Sequence, residues 1–324
     1  MKRREFTLAA AAAALLAPAA SVRADNYPSK PVRLIVPYPP GGGTDTVARA
    51  VFERVATLMG QPFVVDNKAG AGTTIGLGEL ARSRPDGYTV GVGGTSDPLL
   101  PLLYDRLAFN PSADLAFVAT LATVPIVLAA GPSIPAKTLQ ELLAAGRAKG
   151  AQPLAYASPG TASPHHLAGI YLGEMAGLPL VHVPYKGTSQ ALTDLVGGHV
   201  PLAMLGLPSA LPFARQGKLK ILGVATAQRS ALAPEIPTIS ESGVPGFNAG
   251  YWWHVTVPTG TPQAVIAQLR DAVDKTLRTP ALTESLLKSG FEPMLLSPAE
   301  AEKALREDTA KWTKVIRANN LRGG

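Results

Sequence analysis

Near the start of this chain, a strand-like run is followed by a loop rich in proline and glycine and then by a helix-like run. The first such loop, 37–45, reads PYPPGGGTD and stands between an apolar run and an amphipathic run that reaches residue 59. The same order recurs around the loop 158–164, which reads SPGTASP. A loop of this kind presents main-chain N–H groups at the start of a helix, where they can bind an anion. Two such loops, far apart in sequence, predict two lobes that grip one small acidic molecule.

The alternation of strand-like and helix-like runs predicts an α/β fold with mainly parallel sheets flanked by helices. We interpret the apolar stretch 115–130, which contains Pro125, as a crossing between lobes, and the run 251–257 as the return. The predicted first lobe then combines residues 25–122 and 252–324, and the second holds 123–251. Hinged ligand-binding proteins have this arrangement.

Two helices are signalled near the C-terminus. Thr261-Pro262 predicts an N-cap followed by proline at the first helical position, and Ser297-Pro298-x-Glu300 predicts a capping box whose helix runs to about Ala318. We expect both helices to pack back on the first lobe.

The first 24 residues are typical of a signal peptide. Lys2, Arg3 and Arg4 precede a short alanine-rich apolar run, and Val22-Arg23-Ala24 fits a cleavage site. We therefore predict export to the periplasm by the general secretory route, with the twin-arginine route left open by Arg3-Arg4.

Composition excludes several classes of protein. The formal charge is +7. Four cations and one anion of the leader account for +3 of it, which leaves about +4, scattered without an aromatic-interleaved basic stripe, so we expect no nucleic-acid partner. The chain has no cysteine, which excludes disulfides and thiolate chemistry. We expect a monomer with no cofactor and no metal.

A series of short motifs occurs in one order along the chain after the leader. They are Tyr27-Pro28-x-Lys30-Pro31, Pro39-Pro40-Gly41-Gly42, Asn67-Lys68-x-Gly70-Ala71-Gly72, Pro85-Asp86-Gly87-Tyr88, His166-Leu167-Ala168-Gly169, Val183-Pro184-Tyr185-Lys186-Gly187 and Leu207-Pro208-Ser209-Ala210. In this ordered set the chain resembles the periplasmic solute receptors of tripartite tricarboxylate transporters, the Bug family. The resemblance implies two α/β lobes of the type II, Venus-flytrap, periplasmic-binding-protein kind with a carboxylate between them. It also implies delivery of that ligand to membrane permease subunits.

Carried onto this sequence, the resemblance places the carboxylate at loops 39–45 and 158–163. Residues that the pattern itself puts beside these loops complete the candidate ligand-binding set. The set is Tyr38, Pro40, Gly41, Gly42, Gly43, Thr44, Asp45, Thr95, Ser96, Ser158, Gly160, Thr161, Ala162, Ser163, His165, Tyr185 and Lys186.

Two departures from the family pattern bear on the ligand. Ala162 replaces a glycine that relatives often carry in the second loop, and Leu205-Gly206 stands where relatives commonly have Asp-Asn. Without a carboxylate at 205–206 the pocket suits a ligand ammonium group poorly. We therefore expect a mono-, di- or tricarboxylate with an uncharged or aromatic body rather than an amino acid.

Other interpretations stay open at this stage. Asp45 and Arg49 are four residues apart, so they suit an ion pair that fixes the start of the helix as an alternative to contact with the ligand. Trp252 and Trp253 suit either a hinge or the pocket. The same pocket would serve a partner of a sensor kinase. An exported hydrolase or isomerase using His165 or His166 is disfavoured, because no activated nucleophile is evident, and we predict that the protein is not an enzyme.

Overall fold

The computed structural model describes residues 27–322, so the predicted signal peptide lies outside the described residues. The strands are β1 (Val32–Val36), β2 (Phe63–Asn67), β3 (Thr89–Gly94), β4 (Leu115–Val124), β5 (Ile126–Ala130), β6 (Leu154–Ser158), β7 (Leu180–Pro184), β8 (Leu202–Gly206), β9 (Lys220–Val224), β10 (Tyr251–Pro258) and β11 (Glu292–Pro293). The helices are α1 (Gly43–Met59), α2 (Thr74–Ala81), α3 (Leu100–Leu103), α4 (Pro111–Asp114), α5 (Leu139–Gly146), α6 (Pro164–Ala176), α7 (Thr188–Val196), α8 (Leu207–Arg215), α9 (Gln263–Leu277), α10 (Pro280–Lys288) and α11 (Pro298–Ala318). Within residues 27–322, no helix combines the length and the apolar character that crossing a membrane requires.

The strands form two separate sheets. The first has six strands in the order β11-β4-β10-β3-β1-β2, and the second has five in the order β7-β6-β8-β5-β9. Helices flank both sheets, so the two-lobed α/β prediction is confirmed. The limits of the lobes at residues 122–123 and 251–252 stay a prediction.

Both sheets are mixed, which corrects the expectation of mainly parallel sheets. The pairs β1–β2, β1–β3, β6–β7 and β6–β8 are parallel. The pairs β10–β3, β10–β4, β11–β4, β5–β8 and β5–β9 are antiparallel. Parallel neighbours need a helical crossover between them. The connecting strands β5 and β10 have no such crossover to their neighbours. Strand β10 runs antiparallel to β3 and β4, and β5 runs antiparallel to β8 and β9.

The two connections between the sheets run side by side. Pro125 separates β4 from β5, and its carbonyl accepts a 2.7 Å hydrogen bond from the amide of Leu207. The return connection is tied to the first where the amide of Ala225 donates to the carbonyl of Ile126 at 2.7 Å. Tyr251, the first residue of β10, pairs with Val124 at the end of β4. Residues at the start of β10 therefore lie at the junction of the two sheets.

Helix α1 shows why the first loop is held firmly. Val47, Val51 and Val55 repeat every four residues and are fully buried, so one face of the helix packs on the sheet. The helix ends at Gly60, whose φ of 70° is a left-handed conformation that glycine adopts without strain. The start of α1, next to the loop, is fixed by this packing.

One C-terminal helix packs on the first lobe as predicted, and the other contacts both lobes. Helix α9 packs on α1 and β4 of the first sheet, as expected. Its N-cap is Pro262 rather than Thr261, whose hydroxyl donates to the carbonyl of Pro258 instead. Helix α11 packs on α6 beside the second sheet as well as on α3 and β4. Trp312 meets the ring of Tyr171 edge-on, with centroids 5.6 Å apart, so α11 bridges the two lobes.

Candidate functional site

The first loop leaves the start of α1 open. The N-cap of α1 is Gly42, and no side chain caps it. The first amides of an α-helix have no acceptor within the helix, so those of Gly43, Thr44 and Asp45 are free of intrahelical bonds. Gly41 has a φ of 79°, which favours glycine and turns the loop so that these amides come together. Since a helix N-terminus carries partial positive charge, this corner suits an anion.

Asp45 holds the loop in place rather than offering a free group. Its Oδ2 accepts 2.9 Å hydrogen bonds from the amide of Gly41 and from Nε of Arg49, and its Oδ1 accepts one of 2.9 Å from Asn67. Burial raises the pKa of this carboxyl, but the hydrogen bonds from Arg49, Gly41 and Asn67 outweigh burial and hold the pKa below its ordinary value. The pairing with Arg49 therefore matches the structural alternative that the spacing left open.

An aromatic wall stands beside the start of α1. An ideal Cβ on Gly43 would lie 3.3 Å from the ring of Phe291 and 3.8 Å from Trp253. Trp253 meets both Phe291 and Tyr251 edge-on, with centroid distances of 5.6 and 5.4 Å. The hydroxyl of Tyr251 lies 3.3 Å from that of Tyr38 in the first loop. We call Tyr38, Tyr251, Trp253 and Phe291 the aromatic wall.

Sequence reasoning missed Tyr251 and Phe291. The signal for Tyr251 was available, because side chains two apart on a strand share a face, so Tyr251 had to accompany Trp253. Nothing in the sequence placed Phe291, which follows α10, beside a loop some 250 residues earlier. Its position is decided by the packing of the C-terminal helices.

Thr95 and Ser96 lie where the two lobes touch. Thr95 is buried and its amide donates to the carbonyl of Trp252, whereas Ser96 is half-buried and hydrogen-bonds the hydroxyl of Tyr251. They share a cavity of about 10 Å³ with Pro164 at the start of α6 and with Trp312. A cavity of this size holds at most one water molecule. The structure thus brings Ser96 close to the start of α6. Little space is left there between the two lobes.

The second loop satisfies most of its own polar groups. Ser158 is fully buried, and its Oγ lies 2.7 Å from Nε2 of His182 and 3.0 Å from the carbonyl of Gly160. Ser163 caps α6, because its Oγ accepts from the amide of His166 at 3.2 Å. The amide of Ala162 donates to Nδ1 of His166 at 3.0 Å. The Ser158 hydroxyl is therefore already engaged by His182 and Gly160, and its contact with a ligand stays a prediction.

The remaining groups at the start of α6 are few. Pro164 has no N–H, and the amide of His166 donates to the Ser163 cap. The amide of His165 is therefore the first-turn donor of α6 that is left without a partner within the helix. The His165 side chain is half-buried, and burial lowers its pKa to about 4, which leaves it neutral at pH 7. Thr161 is exposed. Ala162 has a φ of 58°, a left-handed conformation in which the family's usual glycine would be unstrained.

Tyr185 and Lys186 lie next to the second loop but face different ways. An ideal Cβ on Gly160 would lie 3.7 Å from the carbonyl of Tyr185. The hydroxyl of Tyr185 donates to Oδ2 of Asp194 at 2.7 Å, so it is held against α7. Lys186 is exposed and free to attract an acid from solvent.

Helix α8 is a second-lobe feature that the candidate set left out. Its N-cap, Gly206, has no side-chain cap, and Pro208 follows in the first turn. Pro208 contacts Gly290, which precedes Phe291 of the aromatic wall. The start of α8 and the start of α1 therefore approach the same part of the cleft. The run Gly206-Leu207-Pro208 after a strand was the available signal.

Larger cavities lie away from this cleft and suit anions poorly. One of about 550 Å³ is lined mainly by apolar residues around α5, and its carboxylate, Glu141, accepts from the amide of Lys137. Another of about 430 Å³ lies behind the second loop, beside Glu174 and the stacked rings of His166 and His182. Burial lowers the pKa of both histidines to about 4, so neither is a cation at pH 7. Among residues 27–322, no three acidic or histidine side chains converge as metal ligands.

Comparison with known proteins decides the family. The profile of the tripartite tricarboxylate transporter family receptor matches residues 47–321. The chain belongs to this family. It is 34% identical to protein BugT of Bordetella pertussis over 301 residues, which covers 92% of each chain. The resemblance read from the motifs is thereby confirmed, and since the family is one of solute receptors, so is the expectation of a binding protein rather than an enzyme.

Solved structures of relatives share the fold. R. palustris Rpa4515 with adipate is 32% identical, with a TM-score of 0.77, over 91% of this chain and 99% of that one. MatC from Rhodopseudomonas palustris with bound malate is 31% identical, with a TM-score of 0.71, over 90% of this chain and 100% of that one. Both relatives were solved with a small dicarboxylate.

Proposed function

We propose that this receptor captures a small organic acid in the periplasm, between its two lobes, and delivers it to the membrane subunits of a tripartite tricarboxylate transporter. The observation that carries the proposal is the uncapped start of α1, with Gly42 as N-cap, which stands beside the aromatic wall and approaches the uncapped start of α8. The periplasmic location is supported by the signal-like first 24 residues and by similarity to a solved relative, the periplasmic binding protein BugD.

Main-chain donors are sufficient for useful affinity. Hydrogen bonds to a charged partner contribute ~1.5–3 kcal/mol each, and a helix terminus adds roughly 0.3–1 kcal/mol. Micromolar affinity needs about 8 kcal/mol. Four or five aligned amides and hydroxyls supply this after the costs of ordering and association. The amides of Gly43 to Asp45, the hydroxyls of Ser96 and Tyr251 and the amide of Ser209 are the donors that we assign to this task. In the first turn of α8, the amide of Leu207 already donates to the carbonyl of Pro125 and Pro208 has no N–H.

The aromatic wall favours an acid with an apolar body. Tyr251 and Trp253 are more than nine-tenths buried, and burial raises the pKa of Tyr251 well above its ordinary value, so its hydroxyl stays a neutral donor. Leu205 and Gly206, fully within β8, put no carboxylate at the start of α8. A ligand ammonium group would find no partner there. We therefore infer a carboxylate with an uncharged or aromatic body, in keeping with the adipate and malate of the relatives.

A thermal-shift screen of the mature chain against mono-, di- and tricarboxylates and aromatic acids tests the proposal. Gly42 has a φ of −75°, so a side chain is compatible with its backbone, and its Cβ would meet the carbonyl of Pro39 at an acceptable 3.4 Å. Gly42→Leu should leave the melting temperature without ligand nearly unchanged but abolish stabilisation by the best acid, because the side chain covers the amides. Thr57→Leu, at the exposed far end of α1, is the matched control. Full stabilisation of Gly42→Leu would contradict the site, and the absence of any stabilising acid would contradict the function.

A further inference from the structure

A buried carboxyl group lies directly behind the proposed ligand residues. Asp97 follows Ser96 at the start of a 3₁₀ turn, and its side chain is only 5% exposed. Its Oδ2 accepts a 2.8 Å hydrogen bond from the amide of Gly94. Burial raises the pKa of Asp97 to about 7, and the Gly94 hydrogen bond offsets only part of this. No cation among residues 27–322 contributes to stabilising its charged form.

The carboxyl of Asp97 and the hydroxyl of Tyr251 both lie next to Gly94. An ideal Cβ on Gly94 would lie 2.2 Å from the Tyr251 hydroxyl. The two oxygen atoms are therefore within about 8 Å of each other, given ordinary backbone bond lengths. After burial, the charge of Asp97 is the next cause that raises the pKa of Tyr38, which reaches about 12. The charge of Asp97 also raises the pKa of Tyr251, so Asp97 acts electrostatically on two members of the aromatic wall.

Asp97 also lines a cavity of about 160 Å³. The titratable group opposite is His254 on β10. Oδ2 of Asp97 and Nε2 of His254 would lie 2.5 and 2.7 Å from an ideal Cβ on Gly93. Burial lowers the pKa of His254 to about 4, so it is neutral near pH 7. Helices α4 and α11 contribute Ser112 and Leu305 to the same cavity, and neither titrates. The cavity has room for several water molecules, which gives Asp97 a route for proton exchange.

We propose that Asp97 is a proton-linked specificity residue, which carries a proton while an organic acid is bound, so that capture of the acid takes up a proton from solvent. The inference rests on the proposed function. Two neighbouring carboxylates in a protein interior cannot both ionise cheaply, so the protonated form of one is favoured. An acid held at Ser96 and Tyr251 supplies the second negative charge. The proton goes from water to the carboxylate of Asp97, and it is returned when the ligand leaves.

Isothermal titration calorimetry of the mature chain, with an acid that is fully ionised between pH 6 and 8, tests this. The dissociation constant should rise about tenfold from pH 6 to pH 8, since only the protonated receptor binds well. Near pH 7, titrations in two buffers of different ionisation enthalpy should report an uptake of about half a proton. Asp97→Asn keeps an oxygen that can accept from Gly94, and it should bind with similar affinity at both pH values. Asp105→Asn, whose side chain is 83% exposed, should keep the wild-type pH dependence.

The outcomes separate this inference from the proposed function. Binding of the acid at pH 6 with no proton uptake, or an equal pH slope in wild type and Asp97→Asn, would overturn the role of Asp97 and leave the receptor function intact. Failure of every acid to bind at pH 6 would instead contradict the proposed function. Should Asp97→Asn not fold, the proton uptake of the wild-type chain decides the matter alone.

Discussion

Replacing Asp45 with alanine should destabilise the protein, because this buried carboxylate organises the first loop. The change removes the acceptor for the amide of Gly41, for Asn67 and for Arg49. The Arg49 side chain is 52% exposed, so its ion pair counts for little. The other two bonds, each to a charged acceptor, contribute ~1.5 kcal/mol apiece. The expected loss is about 3 kcal/mol, which lowers the melting temperature by roughly 6–12 °C.

Differential scanning calorimetry measures this loss, and pH gives it a signature. The pKa of folded Asp45 is below its ordinary value, so its stabilisation is fully present above the unfolded value of about 3.9. That stabilisation is lost as pH falls through the lower folded pKa, so the gap between wild type and Asp45→Ala should close in strong acid.

Asp271→Ala is the matched control for Asp45→Ala. Asp271 also pairs with a cation four residues away, Lys275, but both side chains are more than 60% exposed. We expect its melting temperature to change by less than about 2 °C. Equal effects of Asp45→Ala and Asp271→Ala would refute the assignment of Asp45 as the residue that holds the loop.

Two further predictions concern stability. Gly169→Ala should cost about 1–3 kcal/mol, because its Cβ would lie 2.1 Å from the buried ring of Tyr156; a chemical denaturation midpoint equal to that of wild type would show that the ring moves aside freely. Ser297→Ala should cost about 1 kcal/mol by removing the capping box of α11, and because it lies outside the cleft, acid affinity should stay within twofold; a large loss of affinity would show that α11 controls the cleft more directly than its packing indicates.

The local order of the chain was predictable in some detail. The bounds of β2 matched, and α1 begins three residues before the amphipathic run that signalled it. The capping box of Ser297 and Glu300 forms as predicted, and its helix ends at Ala318. These features depend on contacts between near neighbours in sequence, which residue types and spacing specify directly. Thr261 failed as an N-cap because its hydroxyl bonds Pro258 instead.

The candidate site was only partly accessible from sequence. The open start of α1 follows from three consecutive glycines after a strand, and the structure has it there. The sequence did not show which polar side chains are engaged inside the protein. Ser158 is hydrogen-bonded to His182, which is distant in sequence, and Asp97, next to Ser96, is buried by the shape of the core.

The sequence by itself determined which segments become strands and helices, and it placed a glycine-rich loop without a side-chain cap at the start of α1, because backbone preference and periodicity act over a few residues. Only the tertiary structure decided that both sheets are mixed, that Phe291 and Tyr251 stand beside that loop, and that α11 bridges the lobes. Those features arise from burying apolar surface between segments far apart in the chain. A local sequence pattern shows that a segment has an apolar face, but it does not specify which distant segment packs against that face.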